Sequence, residues 1–538
     1  MFEQIGIILL LSAAGGIIAL KLKQPILISF IAIGILCGPS FLNLMDYGDS
    51  IEMLSKLGIS LLLFIVGLKL DIKTVQSMGR VALATGLGQI LFTSLVGYLL
   101  ASLLGIDHIN SLYIGIALSF SSTIIVVKLL SDKKEIDSLY GRIAIGFLIV
   151  QDIVVVLVMI ALSVFSGELA EASIWQIVAS LAARGVALLA IAWIALRYIF
   201  PRLLRHIAQS SELLVLFSIA WAVSFAVFSE VLGFSEEVGA FLAGMTLASS
   251  NFREAIVTRL VSLRDFLLLF FFIDLGASLD LGLLRQEIFP ALLLSLFVLV
   301  AKPLIVIIIM GYLGYRKRTG LLAGLTMAQI SEFSLIFVAL GHSLDHVTQS
   351  SLAIVTLATI ATISLSTYMI INSVKIYELI GPLLSIFERK TPRAEQRFDE
   401  QEGPTKPKIL LFGLGRFGQN IFREIRKKEI SVAAYDFDPD VVARLASLGH
   451  PAHYGDAEDP EFIEHLPLSS AEWVICAAPE PQVNRRLSDA LRKAGYTGKV
   501  ALTLHRASED RFLDAEGYDL LLLPFEEAAS KVVENFTS

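Results

Sequence analysis

The sequence predicts an α-helical polytopic membrane protein of about thirteen spans, built as inverted repeats with crossed broken helices and followed by a cytoplasmic α/β domain of Rossmann type. Three observations carry that expectation. The chain has 538 residues, of which 55% are apolar and 17% charged, and its mean hydropathy is +0.73, whereas soluble domains carry about a quarter charged residues. Apolar stretches of about 20 residues, enough to cross a bilayer, follow one another from Ile5 to Phe387. A strand pattern, a glycine-rich turn and a helix pattern begin at Lys408. The expected division is a membrane domain over 1–387, a linker over 388–406, a nucleotide-binding domain over 407–525 and a tail over 526–538.

The first span, Ile5 to Leu20, lacks a basic start and a small-residue cleavage site, so it reads as a retained span. Alternate breaks carry the basic residues: Lys21 and Lys23, Lys69 to Arg80, Lys133 to Arg142, Arg197 to Arg205, Arg253 to Arg264, Arg316 to Arg318, and Arg389 to Arg393. Basic breaks favour the cytoplasmic side. The breaks between them carry Asp46 and Asp49, Asp107, Glu168 and Glu171, Glu236 and Glu237, Asp280 with Glu287, and Asp345. This alternation places the N-terminus outside and the C-terminal domain in the cytoplasm.

Two spans make poor straight helices. Ser119 to Thr123 and Ala328 to Ser334 are polar clusters in apolar surroundings, and inside a bilayer such backbone must be satisfied by protein or line a wet cavity. They lie seven spans apart, an odd offset that makes two copies of a repeat cross the membrane in opposite senses, as in many secondary transporters.

Asp152, next to Gln151, stands at the centre of the aliphatic span Gly146 to Val156. A carboxylate there pairs, takes a proton or binds a cation, and alternate access to water makes it an exchange site; the other reading is an acid locked in a helix-helix hydrogen bond. Lys302 stands beside the helix breaker Pro303 in the eleventh span. It is either a cation that competes for Asp152 or a structural ion pair or snorkelling lysine. Glu332 either lines the ion path or holds the broken twelfth span by accepting backbone N–H groups. Asp274 shows no partner in the sequence.

Lys408 to Phe412 reads as a buried strand leading into Gly413-Leu414-Gly415-Arg416-Phe417-Gly418 and a helix over Gln419 to Lys428. A second strand, Val432 to Tyr435, ends at Asp436, where an acid can take the ribose hydroxyls of an adenine nucleotide. The glycines bring N–H groups and a helix N-terminus against phosphate. The alternative is a Rossmann-type domain kept only as an assembly surface. No hydride-transfer substrate domain follows, so the nucleotide is sensed and not consumed, and the expectation is that the protein is not an enzyme. From Lys408 onward 15 Lys and Arg face 21 Asp and Glu, a balance that argues against nucleic acid as partner. Two cysteines, Cys37 and Cys476, suggest neither a disulfide framework nor a thiolate metal site.

The membrane part resembles the second family of monovalent cation:proton antiporters, most closely the Kef-type potassium-efflux members. The matching passages are Leu62 to Leu68, Ser119 to Thr123, Gln151-Asp152, Gly239 to Gly244 and Glu332-Phe333. The domain from Lys406 to Leu523 resembles the nucleotide-binding regulator of potassium conductance (the TrkA-N type), through Gly413 to Gly418, Asp436-Phe437-Asp438 and Gly455-Asp456-Ala457. The resemblance implies that Asp152 exchanges proton and potassium, with Gln151, Ser122 and Thr123 near it around the transported cation. It also implies that Gln-Asp marks the potassium-type, electroneutral members, and that a lysine at the place of Lys302 pairs with a first acid that here is Gln151. For the second domain it implies a homodimer that binds AMP or NAD(H) through Gly413, Gly415, Gly418, Asp436 and Asp456. Regulation by glutathione, with Arg416 and Arg506 placed to meet its carboxylates, and by an ancillary flavoprotein is implied for close relatives, although a long tail is not present here. Three other readings are set beside it. A sodium:proton antiporter of the same fold differs only in the ion. A regulated potassium channel lacks a filter, since Val96-Gly97-Tyr98 sits in an ordinary apolar span. A membrane oxidoreductase rests on the glycine motif alone.

Overall fold

The structure, a computed structural model, describes residues 2–39, 49–69, 80–165, 210–388, 406–504 and 518–537, together with residue 42 and scattered positions between 188 and 207. Positions 134, 137, 233, 235, 249, 251, 280, 451, 479 and 480 are excepted. Asp46, the break at 70–79, Glu168, Glu171, Arg205, Asp280, the linker at 389–405 and Arg506 lie outside the described residues.

Fifteen helices are described ahead of the sheet domain. They are α1 (Phe2–Lys21), α2 (Ile26–Cys37), α3 (Asp49–Lys69), α4 (Arg80–Leu103), α5 (His108–Ser119), α6 (Thr123–Asp132), α7 (Leu139–Phe165), α8 (Ser211–Val231), α9 (Glu236–Leu247), α10 (Arg253–Ala277), α11 (Leu281–Leu313), α12 (Lys317–Thr326), α13 (Glu332–Ser343), α14 (Gln349–Ile371) and α15 (Ser373–Leu384). Among the described residues seven segments are long and apolar enough to cross a membrane: 51–68, 81–103, 108–132, 139–159, 212–231, 286–313 and 349–371. Three shorter apolar helices, 5–21, 26–37 and 332–343, stand beside them. The expected count of thirteen includes stretches outside the described residues.

The repeat is legible in the helix order. The first residues of α1 and α8, α2 and α9, α5 and α12, α6 and α13, and α7 and α14 are each separated by 209 or 210 positions. Packing follows the same relation with partners exchanged. A Cβ on Gly34 of α2 would stand 3.0 Å from the Gly276 Cα of α10, and one on Gly67 of α3 would stand 3.1 Å from the Gly244 Cα of α9. Gly34 and Gly244, and Gly67 and Gly276, are the equivalent positions, so the two contacts are one contact seen twice. Such reciprocal exchange is the mark of a pseudo-two-fold relation between the copies. Small residues let the backbones touch there, since helices in lipid associate by close packing and not by hydrophobic burial.

Both polar clusters break their spans. α5 ends at Ser119 and α6 begins at Thr123, with Phe120 and Ser122 extended. In the second copy α12 ends at Thr326 and α13 begins at Glu332 behind an extended Ser331. Asp274 of α10 gains the partner that the sequence did not show, accepting a hydrogen bond from Ser55 of α3. Val96-Gly97-Tyr98 lies inside α4, an uninterrupted helix.

The sheet domain has six parallel strands in the order β3-β2-β1-β4-β5-β6: β1 (Ile409–Phe412), β2 (Val432–Asp436), β3 (His453–Tyr454), β4 (Trp473–Cys476), β5 (Lys499–Thr503) and β6 (Leu520–Leu522). The helices are α16 (Arg416–Lys427), α17 (Pro439–Ser447), α18 (Pro460–Glu464), α19 (Pro481–Lys493) and α20 (Pro524–Thr537). β1 and β2 are buried runs, as a parallel sheet covered on both faces requires. α16 starts three residues before the expected helix because the turn itself supplies its first residues. α20 runs through the expected boundary at 525.

The chain forms two compact units, and their membership departs from a single cut. One comprises Met1–Lys134, Ile143–Met310 and Gly320–Ser385; the other comprises Glu135–Arg142, Gly311–Thr319 and Ile386–Ser538. Two short connections between membrane helices thus belong with the sheet.

Candidate functional site

Breaking a helix leaves backbone donors and acceptors without partners, and in an apolar unit each must be met by protein. At the crossing almost all are. On the carbonyl side, Gln89 Nε2 donates to the Ser119 oxygen at 3.1 Å. Lys302 Nζ donates to the Phe120 oxygen (3.1 Å), to Ser121 Oγ (2.9 Å) and to the Gln329 oxygen (2.8 Å). Ser121 Oγ donates in turn to the Met327 oxygen at 3.2 Å. On the donor side, Ser121 N–H reaches Gln151 Oε1 at 3.0 Å, and its counterpart Ile330 N–H reaches Thr362 Oγ1 at 3.2 Å. Ser122 caps α6 and Ser331 caps α13. The copies are joined directly where Ser331 N–H donates to the Phe120 oxygen at 3.1 Å.

Lys302 is fully buried, and its three ammonium hydrogens all go to this junction. It meets the carbonyl end of both broken spans, where the helix dipole is negative. Gln151 belongs to the same junction: its oxygen receives Ser121 N–H and its amide donates to Gln89 Oε1.

Asp152 is different. It is half-buried, and Thr123 Oγ1, at the first position of α6, donates to its Oδ2 at 3.0 Å. Glu332 opens α13 at the position equivalent to Thr123. It is buried and accepts from the Ser122 hydroxyl, while among the described residues no donor reaches its Oε2. Ser122-Thr123 therefore links two carboxylates, one from each copy. Of the expected residues, Asp152, Thr123, Ser122 and Glu332 form one group, while Gln151 and Lys302 face the junction behind it. Gln89 and Thr362 were missed. A lone amide in Thr85 to Thr93 and the hydroxyl-rich face of α14 were the available signals.

In the sheet domain the three glycines divide the work. Gly413 has φ +85°, a conformation that L side chains rarely adopt. A Cβ on Gly418 would collide with the Gly413 oxygen, so α16 packs onto the turn itself. A Cβ on Gly415 would meet nothing within 4 Å, and Gly415 leaves α16 without a side-chain cap. This is space and N–H polarity of the kind that cradles phosphate. Arg416 and Phe437 are exposed at the rim, Phe417 packs on the sheet, and Ala457 is buried.

Asp436, at the end of β2, accepts from Leu414 N–H and from Asp438 N–H (2.8 Å), so it braces the glycine turn. Burial, partly offset by these N–H groups, raises its pKa above the ordinary aspartate range. Asp456 accepts Glu458 N–H at 2.9 Å through Oδ1 and pairs with Arg318 through Oδ2. Asp438 pairs with Arg142 at 3.1 Å. Burial opposes the charge of Arg318, yet Asp456, Asp459 and Glu458 outweigh it and hold the guanidinium ionised well above its usual range.

Residues 6–371 match the family model described as "Sodium/hydrogen exchanger, transmembrane", and residues 409–524 match the TrkA-N domain. YbaL of Escherichia coli (strain K12) is 26% identical, over 96% of this chain and 94% of its own. The glutathione-regulated potassium-efflux system protein KefC of Salmonella typhi is 28% identical, over 88% of this chain and 75% of its own. The solved sodium proton antiporter MjNhaP1 from Methanocaldococcus jannaschii, at 18% identity and a TM-score of 0.48, covers 69% of this chain and 98% of its own.

Proposed function

The chain belongs to the sodium/hydrogen exchanger family and carries a TrkA-N domain after its membrane helices, and from that premise we propose that it exchanges potassium for protons at Asp152 under the control of an adenine nucleotide. The carrying observation is the separation of two roles at the crossing. Lys302 spends its donors on the broken helix ends, and Asp152 stands half-buried at a helix N-terminus beside Thr123. One carboxylate that holds either one proton or one monovalent cation exchanges them without net charge. Gln151 in place of a second acid, and the potassium-efflux relative, support K⁺ as the ion. Thr123 and Ser122 supply hydroxyl oxygens beside the carboxylate.

The glycine turn, with Asp436, Asp438 and Asp456 at the strand ends, takes AMP or NAD(H), which is sensed and not converted. The protein works as a homodimer in a bacterial inner membrane, N-terminus outside and sheet domain in the cytoplasm. KefC of Salmonella typhi is glutathione-regulated.

Proteoliposomes loaded with a pH dye and challenged with K⁺, Na⁺ or Li⁺, with and without a potassium clamp, test the reading. A K⁺-driven pH change that ignores the clamp is expected, and Asp152→Asn is expected to reduce it to background in a folded protein. A Na⁺-preferring signal moves the protein to the sodium:proton reading, and normal transport by Asp152→Asn removes the mechanism.

A further inference from the structure

The unit that contains the sheet also contains Glu135–Arg142 and Gly311–Thr319, and each segment delivers one arginine to an acid of the glycine-turn edge. Arg142 Nη1 lies 3.1 Å from Asp438 Oδ1, with the two side chains 38% and 23% exposed. Arg318 pairs with Asp456, with the side chains 9% and 26% exposed. Both acids follow β2 and β3 at the carboxyl edge of the sheet, beside Asp436, since Gly455 N–H donates to the Asp436 oxygen. This is the edge where a doubly wound sheet receives the ribose of its ligand.

The Arg318 pair is built and not incidental. Its guanidinium lies among Asp456, Asp459 and Glu458. Its segment is tied down twice more, by Gly311 against the Phe387 backbone and by Lys317 at 4.0 Å from Glu388. Asp456 Oδ1 accepts Glu458 N–H and its Oδ2 is covered by Arg318, so a ribose hydroxyl approaching this acid meets the guanidinium already in place. Asp438 meets Arg142 through Oδ1 in the same manner.

We infer that Arg318 and Arg142 are internal occupants of the ribose edge, which a nucleotide with free ribose hydroxyls must displace in order to bind. Chain continuity gives displacement a route. Arg318 stands in the first turn of α12, which runs to Thr326, directly before Met327 and Gln329 of the crossing. Arg142 stands in the first turn of α7, the helix that carries Gln151 and Asp152. Both segments thus lead into the helices of the exchange site. Ligand occupancy and release of the two loops are one equilibrium, and the apparent affinity of the ligand is lowered by the fraction of molecules in which the arginines hold the edge.

The inference rests on the nucleotide reading above, and its test separates the two. Calorimetry on the full chain in detergent measures binding of AMP and NAD⁺ to the wild type, Arg318→Gln and Arg142→Gln, with 2′,3′-dideoxy-AMP as the control probe. Arg318→Gln is expected to tighten AMP binding about tenfold and Arg142→Gln about threefold, because each removes a competitor. The dideoxy probe should bind all three proteins alike. In proteoliposomes, nucleotide should no longer change the transport rate of Arg318→Gln. Weaker AMP binding in both variants makes the arginines phosphate ligands and overturns the inference, as does unchanged binding. Should Arg318→Gln not fold, the sign of the Arg142→Gln effect decides. A wild type that binds neither AMP nor NAD⁺ removes the nucleotide reading itself.

Discussion

At the crossing, four helix ends meet and their loose carbonyls and N–H groups are taken up by Lys302, Gln89, Gln151, Thr362 and the serines. At the glycine turn, the N-terminus of α16 has no side-chain cap, and open space lies beside Gly415. The same physical object, a helix end with unpaired backbone polarity, is closed by the protein in one place and kept accessible in the other. In apolar surroundings an unmet carbonyl costs too much to leave, whereas a helix end at a sheet edge can wait in water for an anion. On the proposed reading, the groups left to meet ligand are Asp152 with Thr123 in one unit and the turn N–H groups in the other.

Breaking the closed end should do the most damage. Lys302→Met strands three acceptors at once, and a loss of about 3–5 kcal/mol is expected, the range for removing one member of a buried polar set. It is read as a fall in melting temperature and detergent-extractable yield. A Lys302→Met protein that is stable and merely slow would show that the lysine serves the ion and not the junction.

The open end separates stability from binding within one turn. Gly418→Ala forces a Cβ into the Gly413 oxygen and should cost about 3 kcal/mol. Gly415→Ala should change stability by no more than about 0.5 kcal/mol, yet weaken AMP about tenfold by filling the phosphate approach. Equal effects of the two substitutions on melting and on calorimetric affinity would erase the distinction between them.

The smallest effect is titration at the ribose edge. Burial raises the Asp436 pKa, so this acid protonates at a higher pH than a free aspartate. Hydroxyl donors bind the carboxylate form, so AMP affinity falls on acidification, beginning at a higher pH than a free aspartate would give. Calorimetric titration of AMP across the acid range reads the fall, and Asp436→Asn should flatten the profile. Affinity that rises on acidification would contradict the assignment.

Much of this was legible in the residues. The two polar clusters marked both breaks because hydrocarbon tolerates hydroxyls and amides only where they do structural or ionic work. Gly413 to Gly418, between an apolar run and a helix, marked the turn because Gly413 needs a positive φ and Gly418 has no room for a Cβ. Less legible was the role of Lys302. A lysine in an apolar span reads as a charge in search of a carboxylate, and only its distances to three oxygens show it serving backbone. Gln89 and Thr362 carried no motif. Arg142 and Arg318 looked like ordinary basic breaks.

Sequence alone determined what depends on local order and composition: the apolar spans, the breaks, the strand-turn-helix and the placement of an acid at position 152. Those follow from hydropathy and backbone sterics, which neighbouring residues set among themselves. Tertiary structure decided which polar group answers which. Lys302 meets Phe120 across 182 residues, Ser121 meets Met327 across 206, and Arg318 meets Asp456 across 138. Pairings at such separations are chosen by packing and by the demand that every buried polar group find a partner, and no local pattern records that choice.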